Sequence, residues 1–218
     1  MKKTIRVIVL VLVLVLLTGC RKVDLLSIDF NVDGNTTELN YDKTNPLVAI
    51  NIEDYGAIVI ELYPDKAENT VNNFISLVSS GFYDGNSFHR LMPGFVLQGG
   101  DPEGTGAGGP GYSIKGEFKI NGYDNDLKHK KGIVSMARRN DYNSAGSQFF
   151  IVLKDNEYLD ENYAAFGKVI DGYKVIETIE EDAIVIDKES GQMNHNIKIL
   201  KALVDKKDYS PKKVEKVK

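Results

Sequence analysis

Phe88-His89-Arg90-Leu91-Met92-Pro93-Gly94-Phe95-Val96-Leu97-Gln98-Gly99-Gly100-Asp101 lies near the middle of this 218-residue chain. It sets an arginine, an amide and several aromatic and aliphatic side chains on strand-like segments punctuated by Pro93-Gly94 and Gly99-Gly100. On its N-terminal side, residues 47–52 place Val48, Ile50 and Ile52 on one face, and residues 57–63 do the same with Ile58, Ile60 and Leu62. Such alternation marks strands, with Asp54-Tyr55-Gly56 as the hairpin turn between them. Then Val71, Phe74, Ile75 and Val78 recur at helical spacing, Asp65 and Glu68 stand as a capping box, and Gly81 stands as the stop. That spacing predicts an amphipathic helix of about four turns. On the C-terminal side come short apolar runs at residues 133–136, 149–152 and 166–170. A second helix is expected from Tyr173 to about Glu180, and a last strand around Ile197 and Ile199. Many short strands and few helices point to a mainly β domain closed into a barrel, since closure removes exposed sheet edges.

The ends read differently. Lys2, Lys3 and Arg6 precede an apolar run over residues 7–17, too short to cross a bilayer comfortably. The run closes on Leu17-Thr18-Gly19-Cys20, which resembles the bacterial lipoprotein box, in which a lipid is attached to the cysteine and the chain is cut just before it. Residues 1–19 are therefore read as a signal peptide, and residues 20–44 as lipidated Cys20 plus a tether. A domain follows over 45–204, and 205–218 is a lysine-rich tail read as solvated. Cys20 is the only cysteine, so an intramolecular disulfide is impossible and stability has to come from a core. The net charge is −4, and removing residues 1–19 makes it more negative, which argues against nucleic-acid binding.

Other motifs fail on their context. Gly104-Thr105-Gly106-Ala107-Gly108-Gly109 spells G-x-G-x-x-G, but Pro110-Gly111 follows where a helix would have to start, so these glycines read as a tight loop. His89, His129 and His195 lack metal-ligand spacing, and no G-x-S-x-G surrounds Ser135, Ser144 or Ser147. No metal site and no cofactor are expected, and His89 is read as a packed side chain.

The opening stretch closely resembles the cyclophilin signature F-H-R-x-x-P-x-F-x-x-Q-G-G-D and fulfils it at every specified position. Gly132-Ile133-Val134-Ser135-Met136-Ala137 and Gly146-Ser147-Gln148-Phe149-Phe150-Ile151 match a second block, and Leu159-Asp160 with Phe166-Gly167-Lys168-Val169 a third. The resemblance spans about residues 45–204 in order. It implies a closed eight-stranded antiparallel barrel capped by two helices, and peptidyl-prolyl cis/trans isomerase activity in an outer groove.

Carried over by position, Arg90 is the catalytic residue, and Phe95, Val96, Phe150, Leu159 and Tyr163 line the proline pocket. Gln98 and Gln148 stand beside it, while Ala137 and Arg138 offer backbone groups to the peptide. No histidine falls within this set. Val96 stands where many members have methionine, Arg138 where many have asparagine, and Tyr158 and Tyr163 where vertebrate cytosolic members have tryptophan and histidine. The Tyr158 and Tyr163 differences bear on cyclosporin affinity more than on catalysis. The expected partners are proline-containing segments of exported proteins, with the membrane reached through the lipid and the enzyme a monomer. A peptide-binding module on the same barrel is the rival reading, and a holdase role is compatible with either.

Overall fold

The computed structural model describes residues 41–217, so Cys20 and most of the tether lie outside the described residues. The first eight strands are β1 (Leu47–Ile52), β2 (Gly56–Leu62), β3 (Ser87–Met92), β4 (Val96–Asp101), β5 (Ser113–Ile114), β6 (Ile133–Met136), β7 (Phe149–Val152) and β8 (Ala165–Asp171). The remaining three are β9 (Val185–Asp187), β10 (Gln192–Asp205) and β11 (Lys216–Val217). The helices are α1 (Glu68–Ser79) and α2 (Tyr173–Asp182). Eight strands follow one another as β1-β2-β8-β6-β7-β4-β3-β10, and β10 pairs back onto β1, closing an antiparallel barrel. β9 adds to β10 outside the closed ring.

Alternation sorts the side chains. Leu97, Val134, Met136, Phe149 and Ile151 point into the barrel core. Their neighbours Val96, Ile133, Phe150 and Val152 form a separate apolar cluster on the outside. Phe74 of α1 plugs the interior, its ring 5.2, 5.3 and 5.0 Å from those of Tyr83, Phe149 and Phe166. β2 starts at Gly56, against Val175 of α2, and ends at Leu62, from which the chain turns into α1. The two helices therefore sit toward opposite ends of that strand.

Helix α1 corrects the expected capping box and length. It has twelve residues, its N-cap is Ala67, and no side chain of its own caps it. The Glu117 carboxylate does so from 47 residues away, accepting from the amides of Asn69 (3.0 Å) and Thr70 (2.7 Å). A carboxylate there satisfies otherwise unpaired amides and meets the positive end of the helix dipole. Its other end stops as expected at Gly81, where the Gly81 amide donates to Val78 O and that of Phe82 to Leu77 O.

The C-terminal segment also departs from expectation, since residues 209–217 strap across α1 instead of standing free in solvent. Asn72 Oδ1 accepts from Tyr209 OH (2.8 Å) and from the Lys212 amide (3.1 Å). Asn69 pairs with the backbone of Glu215 in both directions, at 2.8 and 2.9 Å. β11 then pairs antiparallel with β5. Lysine content suggested solvation, but backbone groups and the partly buried Tyr209 and Val214 hold the strap.

Candidate active site

Five neighbouring barrel strands build the site. Arg90 on β3 lies opposite Gln98 on β4 and Gln192 on β10, and Gln98 lies opposite Phe150 on β7. Phe150 in turn faces Ser135 on β6. Register thus sets arginine, amide and aromatic ring side by side on the outer surface. Gly99 and Gly100 explain part of the signature stretch: Gly100 has φ +87°, and a Cβ there would stand 2.5 Å from Ser147 O.

The Arg90 guanidinium is held from three sides. Nε donates to Ser190 O (2.7 Å), Nη1 donates to Gln98 Oε1 (3.0 Å), and Nη2 contacts the Met92 sulfur. Gln98 Nε2 passes the chain on to Gln148 Oε1 (2.9 Å), and Gln148 Nε2 donates to the carbonyls of Gly106 (3.0 Å) and Gly108 (2.9 Å). The glycine run is therefore a tight loop, and Asp101 organises it by accepting from the amides of Glu103, Thr105 and Gly106. Burial pushes the Asp101 carboxyl up, but these backbone bonds outweigh it and hold the group below its ordinary value. Burial lowers the proton affinity of Arg90, opposed by Tyr163. A guanidinium nevertheless stays charged at neutral pH.

Beside Arg90 lies the apolar cluster of Val96, Ile133, Phe150, Val152, Leu159 and Ala165, with Phe95, Met92, Ala137 and Tyr163 packed against it. The structure thus brings together the expected residues Phe95, Val96, Phe150, Leu159 and Tyr163. Tyr163 meets Phe150 edge-on at 5.6 Å. Tyr158 stands 91% exposed and is not part of this cluster. The Ala137 amide donates to Gln148 O (2.9 Å) and so is not available to a peptide. The Arg138 side chain is locked in place: Nε donates to Asn162 O (3.0 Å), and its guanidinium lies 4.8 Å from the Tyr163 ring.

Two features of the site were absent from the expected set. The Ser190-Gly191 turn reaches Arg90 from 100 residues away, and a Cβ on Gly191 would press on Met92 Cγ at 2.8 Å and Arg90 Cγ at 3.0 Å. The other is His129, whose ring stacks on Phe150 at 6.2 Å. Its Nδ1 contacts Asp160 (3.0 Å) and its Nε2 contacts Ser135 Oγ (3.1 Å). Burial lowers the His129 pKa against the opposing pull of Asp160, so the neutral ring donates from Nδ1 and accepts the Ser135 hydroxyl at Nε2. The connectivity is that of a hydrolase triad, but Ser135 is fully buried and out of reach of a substrate. The relay instead fixes the back of the Phe150 ring.

Residues 47–204 match the family model described as Cyclophilin type peptidyl-prolyl cis-trans isomerase/CLD. The chain belongs to the cyclophilin family. It is 49% identical over 121 residues to peptidyl-prolyl cis-trans isomerase B of Bacillus subtilis, covering 56% of this chain and 81% of that one. A Helicobacter pylori peptidyl-prolyl cis-trans isomerase is 42% identical over 132 residues, covering 60% and 78%. Among solved structures, a Cryptosporidium parvum cyclophilin superposes with TM-score 0.65 at 34% identity, covering 73% of this chain and 97% of that one. This cyclophilin is accordingly a peptidyl-prolyl cis/trans isomerase, an enzyme acting on proline-containing substrates.

Proposed function

We propose that this isomerase accelerates folding of exported proteins by hydrogen bonding from Arg90 to the prolyl nitrogen, with the proline ring in the groove of Phe95, Val96, Phe150, Leu159 and Tyr163. The observation that supports this reading is the guanidinium held by Ser190 and Gln98 at the edge of an apolar cluster. An X-Pro bond rotates over a barrier of about 18–20 kcal/mol because rotation breaks amide resonance, and uncatalysed turnover takes tens of seconds or more. In the twisted transition state the nitrogen becomes pyramidal and gains a lone pair. A donor aimed at that lone pair binds the transition state better than either planar ground state, which is what catalysis requires.

One charge-assisted hydrogen bond is worth about 1.5–3 kcal/mol, roughly 10- to 150-fold in rate. The apolar floor supplies the rest by excluding water from the amide and fixing the ring while the remainder of the peptide rotates. No covalent step is required, and nothing in the step uses a nucleotide, which suits a compartment outside the membrane. A dipeptide, ala-pro, was present with the Cryptosporidium parvum cyclophilin in a second structure of TM-score 0.64, at 34% identity and covering 72% of this chain and 98% of that one.

We assign the membrane attachment to a lipid on Cys20, supported by Leu17-Thr18-Gly19-Cys20 closing an apolar run. Two acyl chains hold a protein on a bilayer where one does so only marginally. Cys20→Ala is expected to abolish incorporation of labelled fatty acid, and persistent labelling would refute the assignment. For the catalytic reading, NMR exchange on an Ala-Pro peptide should show cis/trans interconversion accelerated by the wild-type protein. A peptide that binds without faster exchange would favour the binding-module reading.

A further inference from the structure

Next to the Arg90-Gln98-Gln148 line opens a cleft of about 930 Å³. Gln98, Gln148 and Ala137 line it together with the glycine loop, and Lys216 and Val217 of β11 add a further wall. The family match ends at residue 204, so that wall comes from a segment outside the cyclophilin domain. The strap is not loosely placed there. Asn69 and Asn72 of α1 fix its backbone, and the β5 pairing sets Lys216 opposite Ile114. Lys216 Nζ sits 3.7 Å from the centre of the Tyr112 ring, which holds the ammonium at the rim by attraction to the ring face.

The cleft lining is unbalanced in charge. Arg138, Arg139 and Lys216 line it, against the single carboxylate of Glu103. Arg138 and Arg139 donate to carbonyl oxygens of Asn162, Arg139 and Ala107. Among the described residues, the ion pairs present involve none of the three cations. Carbonyl bonds satisfy donors but leave the positive charge uncompensated, so the rim is a place where a carboxylate gains energy.

We propose that the C-terminal strap biases this cleft toward peptides bearing an acidic side chain close to the isomerising proline, with Lys216 as the specificity-determining residue. The subsite rests on the isomerase reading of the groove, because a peptide seated against Phe150 and Arg90 has to pass Gln98 and Gln148 to reach it. Lys216 is exposed, so the discrimination is a modest one that salt weakens.

The test uses the full chain in a neutral detergent with Ala-Pro peptides that carry Glu or Lys at each position within three residues of the proline. Calorimetry gives the dissociation constants, and NMR exchange on the same peptides gives isomerisation rates. At one position or more, the Glu peptide is expected to bind about two- to fivefold more tightly than its Lys counterpart, with the ratio shrinking as salt is added. Lys216→Glu should abolish or invert that ratio, and Lys216→Arg should keep it. Equal binding of Glu and Lys peptides at all positions, or a preference that survives Lys216→Glu, would overturn the proposal. Failure of the wild-type protein to accelerate exchange on the uncharged peptide would instead count against the isomerase reading, with the binding ratios still judging the subsite.

Discussion

Phe149 and Phe150 are adjacent on β7 and nearly equally hidden from solvent, yet they belong to different parts of the molecule. Phe149 faces inward, its ring 5.3, 5.6 and 5.8 Å from those of Phe74, Tyr83 and Phe88. Phe150 faces outward between His129 and Tyr163, beside Arg90's partner Gln98. The same alternation runs through β4, where Leu97 is interior and Val96 and Gln98 are not. One set of strands therefore carries two apolar surfaces, one that holds the barrel shut and one that a peptide can use. Closure frees the outer surface for this work, because every barrel strand has its backbone partners on both sides.

The largest effect on stability should come from the inner face. Phe149→Ala removes a fully buried ring from a packed aromatic group and is expected to cost about 3–5 kcal/mol, read as a lower urea midpoint. That is a large share of a typical stability of about 5–15 kcal/mol. Phe150→Ala opens a groove that water and neighbours can refill, so its expected cost is smaller, about 1–3 kcal/mol. It should nevertheless lower kcat/KM by at least about tenfold, with weaker peptide binding contributing, because the ring wall is lost in both ground and transition states. Equal stability losses for the two variants would break the comparison between the faces.

A smaller effect concerns pH. Burial lowers the pKa of both His89 and His129 below the ordinary histidine value of 6.5. The unfolded chain then takes up protons that the folded chain refuses, so stability should be full above about pH 6.5 and decline as pH falls below it. Protonation of His129 would also reverse the Ser135 bond behind Phe150, with Nε2 then donating to the hydroxyl oxygen, linking this loss to the outer face. Urea midpoints measured for wild type and His129→Gln between about pH 7.5 and 5 would check this, since the variant should show a shallower decline. Parallel curves would remove His129 from the account.

Much of the barrel was legible because its determinants are local. The runs at residues 133–136 and 149–152 start directly after Gly132 and Gln148 and emerge as β6 and β7 with the same ends. Arg90, Gln98 and Phe150 were legible through the family signature, which is also local. The features that escaped are those whose partners are far away in sequence. Glu117 takes over the cap that Asp65 and Glu68 suggested for α1, because tertiary contact brings a carboxylate to the helix start. Ser190 reaches Arg90, and Asp160 reaches His129 from 31 residues away, with no motif that links either pair. The strap is the plainest case, since its lysines point to solvent in composition while its backbone pairs with Asn69 and β5.

The most direct test of the division between faces is Arg90→Ala, with thermal unfolding and Ala-Pro exchange measured on one preparation. Arg90 belongs to the outer surface and contributes no side chain to the barrel core. The unfolding free energy should therefore stay within about 1 kcal/mol of wild type. The rate constant for isomerisation should fall by at least the roughly 10- to 150-fold expected for one charge-assisted hydrogen bond. Arg90→Lys should recover only part of the loss, because an ammonium on a flexible stem does not reproduce the planar fork. A folded Arg90→Ala protein that isomerises the peptide at close to the wild-type rate would contradict the assigned mechanism.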